Sequence, residues 1–461
     1  MGMAYIGILI PSLTDPNSKE IIYLNEAQTS WTGSITSISA LIGSLLSGPI
    51  TDPLGRKPAL IILTIPFMVS SIGYYFAKET WHIYATLVLH GMAGGLVEAP
   101  ILTYVAEITE PSLRGSLSST SLLSLSVGIF LEFLIGSMLH WRTVALVTCI
   151  VSLATLVLLL SLPETPYWLL SRNKPHEARK SLAWLRGWTT VENVEQEFQE
   201  IQKSFTRLNG NTGSNKVASI KVTKMSKFQQ CCKRDFLQPF SLIALIIAWS
   251  NFIGLRTTET YSVIIFNTLN VPINGYYATV IMSLSSFVGT FACFFVVQYC
   301  GKRKAALGSS LIFCICCTSI GIYAYINDII YFNFKDVLRA TPDQEHKYSW
   351  IPVVLFATFG FFGNCGPKNL PWTLAAEVFS NDLRAIGCGL VTSVQCLSLF
   401  VVSVGYLDTA AFMSFPGLYW TFACVCAIGV LIIYFCVPET EDKTLAQIED
   451  YYKRSTDNNL S

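Results

Sequence analysis

The sequence predicts an all-α membrane protein with twelve transmembrane helices in two six-helix halves. Of its 461 residues, 52% are hydrophobic and only 13% are charged, and the mean hydropathy is +0.48. A soluble domain carries about 25% charged residues because its surface faces water. The apolar residues fall in long segments, and several short motifs occur at matching places in both halves of the chain. These observations predict a chain that folds in a lipid bilayer.

The apolar segments are twelve, and all but the first are long enough to cross the ~30 Å hydrocarbon layer as a helix. The first, from Met1 to Leu13, would span only ~20 Å at ~1.5 Å per residue, so we expect a short first helix that has lost its N-terminal turns. The full-length segments are residues 31–51, 59–77, 83–106, 117–138, 142–162, 237–260, 276–299, 304–326, 350–377, 385–407 and 416–437.

The division of the chain follows from these segments. Residues 1–162 are expected to form one six-helix half and residues 237–437 the other. Residues 163–236 form a cytoplasmic helical linker between the halves, and residues 438–461 form a cytoplasmic tail.

The linker is expected to contain two helices and a loop. Residues 177–186 predict a short helix that Gly187 ends. A second helix is indicated by an apolar stripe at helical spacing, followed by a polar loop over residues 209–219. The stripe consists of Val194, Phe198, Ile201 and Phe205.

The distribution of Lys and Arg predicts the orientation of the chain. Of 31 such residues, six lie in the expected outer loops and two, Arg256 and Lys368, lie in membrane segments. With the N-terminus inside, the remaining 23 lie in the inner loops and the tail. We therefore expect a multi-pass protein of the plasma membrane with both termini in the cytoplasm. The outer six are Lys19, Lys78, Arg142, Lys335, Arg339 and Lys347.

A carboxylate followed by an arginine recurs where one apolar segment ends and the next begins. Glu107 precedes Arg114 with the same spacing that separates Glu377 from Arg384. A carboxylate at a helix C-terminus lies at the negative end of the helix dipole and needs a cationic partner. We predict a cytoplasmic gate whose salt bridges form when the inside is closed, the alternative being permanent braces between helix ends. The predicted gate residues are Asp52, Arg56, Glu107, Arg114, Glu164, Glu377, Arg384 and Glu439.

Several motifs, in the same order and at the same helix ends, resemble those of the sugar porter family of the major facilitator superfamily. The resemblance covers almost the whole chain. It implies a major facilitator fold, with a substrate site near the midplane of the membrane between the two halves. The matching motifs are Asp52-x-x-Gly55-Arg56-Lys57, Tyr104-x-x-Glu107 with Arg114-Gly115, Pro163-Glu164-Thr165, Gly254 with Tyr261, Pro371-Trp372 with Glu377 and Arg384, and Pro438-Glu439-Thr440.

The resemblance implies a substrate site on helices seven and ten, but the hydroxyl-reading positions of the family are altered here. Leu122 stands where the family has a glutamine, and it can neither donate nor accept a hydrogen bond. Ser250 and Arg256 stand where the family has a glutamine and an asparagine. We therefore expect weak affinity for hexoses. The predicted substrate-binding residues are Ser250, Asn251, Gly254, Arg256, Tyr261, Lys368 and Trp372.

Five charged residues fall inside predicted helices, where each would cost ~2.5–3.5 kcal/mol near the membrane centre unless it faces a partner or water. Arg256 and Glu259, three residues apart, either neutralise each other or line the outer rim of the site. Lys368, ~13 Å from the inner surface, either contacts an anionic substrate or forms a structural bridge with Glu98 or Glu132.

The expected function is facilitative transport of a hexose or trehalose by alternating access of the two halves. The alternatives are transport of a carboxylate-bearing organic solute and a nutrient sensor that transports nothing. In the family that the chain resembles, a proton-coupling aspartate lies on helix one; counted from Gly7, its place is held by Tyr5, which favours facilitated diffusion. We expect a monomer without enzyme activity, cofactor, metal or nucleic-acid partner, since no such motif is found.

Overall fold

The computed structural model describes residues 2–15, 20–109, 114–210, 234–332, 348–378 and 384–437, and every regular element in these ranges is a helix. The first six long helices coincide with the first six predicted segments. They are α1 (Gly2–Thr14), α2 (Glu26–Leu54), α3 (Arg56–Phe76), α4 (Thr80–Ile108), α5 (Arg114–Met138) and α6 (Trp141–Ser161).

The linker contains the two predicted helices and adds two short ones. Ser181, on the first of the two predicted helices, donates to the Glu164 carbonyl (2.5 Å) and so connects the linker to the end of α6. The last linker helix reaches Gly210, so the predicted loop does not begin at Asn209; the rest of that loop lies outside the described residues. The linker helices are α7 (Pro166–Ser171), α8 (Pro175–Leu185), a 3-10 helix (Val191–Val194) and α9 (Glu195–Gly210).

A separate apolar cluster holds these linker helices together. Val194, Phe198 and Ile201 of the predicted stripe are buried in it, whereas the Phe205 side chain lies outside the described part of the structure. The remaining buried members are Leu169, Leu170, Ala178, Leu182 and Ala183.

The second half of the chain departs from the prediction, because two of its segments are broken. Residues 237–260 and 350–377 each divide between two helices, and the last two predicted segments lie on one helix with a non-helical kink at Ser414 (φ 67°, ψ 163°). The helices are α10 (Arg234–Phe252), α11 (Leu255–Thr268), α12 (Gly275–Cys300), α13 (Lys302–Ile326), α14 (Ile351–Cys365), α15 (Leu370–Val378) and α16 (Arg384–Cys436).

Seven helical stretches in the described residues are long and apolar enough to cross a membrane. The last, of 50 residues, suffices for two passes at ~1.5 Å per residue. Shorter apolar helices, Ala4–Thr14 and Leu122–Met138, lie on the first and fifth predicted segments. The seven are Arg56–Phe76, Thr80–Val105, Trp141–Ser161, Phe236–Thr268, Gly275–Cys300, Lys302–Ile326 and Gly387–Cys436.

The break between α10 and α11 depends on a glycine. Gly254 adopts a left-handed conformation (φ 79°, ψ 9°), which side-chain-bearing residues rarely take. A Cβ atom at this position would also lie 2.3 Å from the Phe422 ring of α16. The second break, residues 366–369, is likewise crowded, since a Cβ atom on Gly366 would lie 1.8 Å from Ser309 Oγ.

Helices of the first half meet those of the second along the centre of the bundle. The hydroxyls of Ser126 and Thr290 are 3.0 Å apart where α5 meets α12, and Ser30 Oγ donates to the Val404 carbonyl (2.7 Å) where α2 meets α16. The α11 helix lies against α1. The α11 helix, which follows the first break, therefore lies at the junction of the two halves.

We predict that Gly254→Ala destabilises the protein by about 1–3 kcal/mol, because alanine is strained at a positive φ and its methyl group would overlap Phe422. Thermal unfolding of the purified protein in detergent measures this effect. The control is Gly308→Ala on α13, where an added Cβ meets no atom within 4 Å. Equal melting temperatures for the two variants would contradict the conformational requirement.

Candidate functional site

A charged network joins the N-terminus of α3, the C-terminus of α4 and the linker. Arg56, the first residue of α3, donates from Nη2 (2.9 Å) and Nε (3.1 Å) to Glu107 Oε1 near the end of α4. Thr165 Oγ1 donates to Glu107 Oε2 (2.5 Å). The Arg56 and Glu107 side chains keep only 17% and 19% exposure, so this ion pair is largely protected from solvent. Charge-assisted hydrogen bonds of this kind are stronger than neutral ones.

Glu164 forms the second part of this network, at the N-terminus of α3. Its carboxylate accepts from the backbone N–H groups of Lys57 (3.1 Å) and Thr165 (2.8 Å). Unpaired N–H groups at a helix N-terminus favour an anion there. Burial raises the pKa of Glu164, which lies beyond the end of α6, and these N–H groups act in the opposite direction. Gly55 (φ 100°) permits the approach, since a Cβ atom there would lie 2.6 Å from Glu164 Oε2.

The structure describes three of the predicted gate residues with their side chains, namely Arg56, Glu107 and Glu164. It pairs Arg56 with Glu107, a combination that the spacing in the sequence did not indicate. The pairing of Asp52 with Arg56 and that of the two Glu–Arg motifs stay predictions. The side chains of Asp52, Arg114, Glu377 and Arg384, and the whole of Glu439, lie outside the described part of the chain.

A second charged cluster lies at the two helix breaks. Glu259 Oε2 is 3.7 Å from Arg256 Nη1, as expected for the neutralising pair, and Glu259 Oε1 is 3.8 Å from Lys368 Nζ. Lys368 Nζ also donates to Asn364 Oδ1 (2.5 Å). We refer to Arg256, Glu259 and Lys368 as the central triad.

The structural partner of Lys368 differs from the predicted one. The expectation was a bridge to Glu98 or Glu132, but the carboxylate beside Lys368 belongs to Glu259. Glu132 instead accepts from the Ala4 N–H (3.2 Å), and Glu98 lies beside Thr392.

The other predicted substrate-binding residues lie in different surroundings and do not form one cluster with the central triad in the contacts described below. Asn251 is buried and donates to Ser398 Oγ on α16 (2.7 Å), and Ser250 donates to the carbonyl one turn earlier. Tyr261 is buried and stacks on Tyr406 with ring centroids 5.0 Å apart. Trp372 on α15 is half-buried against the apolar core. The substrate role of each residue stays a prediction.

Three partners of the predicted residues were missed. Glu259 was recognised as a buried charge but not as the link between α11 and the second break. Asn364 could have been found as a polar residue one turn before Lys368 in an apolar helix. Thr165 lies inside the Pro-Glu-Thr motif, whose glutamate alone was assigned to the gate.

A family model described as "Sugar (and other) transporter" matches residues 11–452. The chain belongs to the sugar transporter family. Among relatives, the facilitated trehalose transporter Tret1 of Drosophila yakuba is 26% identical over 97% of this chain, and that of Polypedilum vanderplanki is 26% identical over 92%. The chain spans 49% of the first relative's length and 80% of the second's.

Solved structures of this family's fold superpose on nearly the whole chain. A partially occluded, inward-open form of the xylose transporter XylE from E. coli gives a TM-score of 0.70 at 19% identity, covering 96% of this chain and 98% of the other. XylE bound to 6-bromo-6-deoxy-D-glucose gives 0.69 at 20% identity, covering 98% of both. The protein therefore has the major facilitator fold, and it is a multi-pass membrane protein.

We predict that Arg56→Ala destabilises this sugar transporter family member by about 1–3 kcal/mol, because the Glu107 carboxylate keeps its burial and loses its cation. A double-mutant cycle with Glu107→Gln, measured by thermal unfolding in detergent, should show strong non-additivity. Lys174→Ala is the control, because the pair of Lys174 with Glu177 is 51% and 55% exposed and contributes less than about 1 kcal/mol. Additive effects of Arg56→Ala and Glu107→Gln would refute the coupling.

Proposed function

We propose that this protein is a facilitative transporter that carries a sugar, a hexose or trehalose, across the plasma membrane by alternating access. The observation that carries the proposal is the pair of helix breaks in a chain of the sugar transporter family. Glu259, on the helix that follows the first break and packs against α1, lies within 4 Å of both Arg256 and Lys368. Half-helices that end near the membrane midplane are where transporters of this type bind their substrates. The names of the trehalose-transporting relatives support the sugar class.

In the proposed arrangement, residues 1–162 and 237–437 are the two moving halves, and residues 163–236 and 438–461 lie in the cytoplasm with both termini. The protein acts as a monomer, without enzyme activity, cofactor or nucleic-acid partner. The positive-inside distribution of Lys and Arg supports this orientation.

The cytoplasmic gate works by making and breaking ion pairs at the inner helix ends. Arg56, Glu107 and Glu164 hold the first half and the linker together. The second-half counterparts are Glu377, Arg384 and Glu439, and Arg114 and Asp52 complete the set. When the cytoplasmic side opens, the ion pairs that join different helices separate, and the helices change from one packed arrangement to another.

Uptake into proteoliposomes tests the proposal. Purified protein should equilibrate labelled glucose or trehalose across the membrane faster than protein-free vesicles do, with counterflow when the inside is preloaded. Saturable binding without any counterflow would support the alternative of a nutrient sensor and overturn transport.

We predict that an acidic exterior does not drive accumulation of the sugar above its outside concentration. Tyr5 holds the place of the coupling aspartate, and its hydroxyl is committed to the Trp141 carbonyl (3.1 Å). Because Tyr5 carries no carboxylate at this place on helix one, protonation there cannot change the affinity for the substrate, and a pH gradient cannot drive uptake through it. Measuring the internal sugar with and without a pH gradient checks this, with XylE as the control. Uphill, pH-driven uptake would contradict passive transport.

A further inference from the structure

The central triad holds more positive than negative charge. Arg256 and Lys368 supply two cations, and among the residues that the structure describes Glu259 is the carboxylate within 4 Å of them. In a low-dielectric interior, an uncompensated charge is costly unless a partner or water neutralises it. The cluster is therefore one anion short of balance.

The geometry leaves donors available to a ligand. The separations of 3.7 and 3.8 Å exceed the 2.7–3.2 Å range of N–H···O hydrogen bonds, so neither cation bonds directly to Glu259. A guanidinium has five donors and an ammonium three, and Asn364 takes one of the latter. The side chains of Arg256, Glu259 and Lys368 keep 17%, 10% and 13% exposure, so none of them is completely closed off.

Both helix breaks add positive potential at the same place. Arg256 is the second residue of α11, and Lys368 lies two positions before α15 begins. The N-terminus of a helix carries the positive end of its dipole, which disfavours cations and favours anions. Two cations near two such ends repel each other, so an anion bound between them is favoured, and Glu259 supplies one carboxylate.

Two members of the triad, Arg256 and Glu259, lie on α11, the helix that packs against α1 of the first half. Arg256 lies one turn before Thr260, on the same side of α11. The Thr260 carbonyl is 3.1 Å from where a Cβ atom on Gly7 of α1 would lie, and the Tyr261 hydroxyl lies 2.6 Å from the corresponding point on Gly33 of α2. The helix that carries Arg256 and Glu259 is therefore in contact with both α1 and α2 of the first half.

We propose that the central triad is a subsite for the carboxylate of an acidic sugar, so that the transported class includes hexuronates. This inference rests on the proposed sugar transport. Arg256 and Lys368 bind the carboxylate, whose single charge balances the cluster. Glu259 accepts hydrogen bonds from sugar hydroxyls and prevents the site from holding a second anion. A neutral sugar still binds through its hydroxyls but leaves the extra positive charge unmatched.

The direct test is to measure uptake driven by a membrane potential into proteoliposomes that contain the full chain. A monoanion carried without a coupled ion should accumulate about tenfold for every 60 mV of inside-positive potential, whereas neutral glucose should not respond. Labelled D-glucuronate and D-glucose are compared under potassium-diffusion potentials. Glucose 6-phosphate is included as a competitor, because preferential binding of this dianion would show a phosphate site and overturn the assignment to carboxylates.

Variants at Lys368 locate the subsite. Lys368→Gln should weaken D-glucuronate competition on the order of tenfold or more and should weaken D-glucose binding by a smaller factor, whereas Lys368→Arg should retain glucuronate binding. Lys78→Gln, which removes an exposed cation near the outer end of α3, controls for surface potential. Thermal stabilisation by glucuronate gives a second readout that does not depend on transport.

The outcomes separate this inference from the proposed function. Transport of glucose or trehalose with no binding of glucuronate by the parent protein would overturn the subsite and leave sugar transport standing. Glucuronate binding that survives Lys368→Gln would overturn the role of the triad. Failure of every neutral and acidic sugar to cross or bind would overturn both. Glucuronate uptake that follows the potential and depends on Lys368 would support both.

Discussion

A helix broken inside a bilayer exposes N–H and C=O groups that lipid cannot satisfy, and the central part of this protein is built around two such breaks. At the first, the Gly254 N–H donates to the Asn251 carbonyl (3.1 Å), so the turn closes within the chain. At the second, Lys368 N–H donates to the Gly363 carbonyl (3.2 Å) and the Asn369 amide donates to the Asn364 carbonyl (2.6 Å). Because these backbone hydrogen bonds are formed close to each break, the backbone there does not need the side chains of Arg256 and Lys368 as partners.

Where α3, α4 and the linker meet, the structure follows a different requirement, that of compensating the charged ends of helix dipoles. Glu107 lies at the negative end of α4, where Arg56 supplies the cation, and Glu164 lies at the positive end of α3, where it supplies the anion. Thr165 contacts Glu107 and adjoins Glu164 in sequence, so the two pairs form one network. The linker is attached to the membrane helices through this network.

The positions of the long helices could be predicted from the sequence, because hydropathy depends on composition over a whole span, whereas their number of twelve stays a prediction. The sequence did not predict the breaks, since an interruption of two or four residues hardly changes hydropathy, and the ring that crowds Gly254 belongs to Phe422, far away in sequence. Similarly, Arg256 with Glu259 could be predicted from helical spacing, whereas Lys368 beside Glu259 could not. Contacts within one helix follow from periodicity, but contacts between helices depend on packing.

The distribution of polar groups gives the two halves unequal parts in the proposed cycle. All three members of the central triad belong to the second half, while the first half presents Gly7 and Gly33 to α11 and carries Leu122 where the related family has a hydrogen-bonding residue. A ligand held by charge would therefore remain with the second half during the exchange of access. The first half would move across it with small and apolar residues, which break few hydrogen bonds as they slide. This asymmetry suits a passive transporter, because a smaller loss of contacts between states means a lower barrier to reorientation.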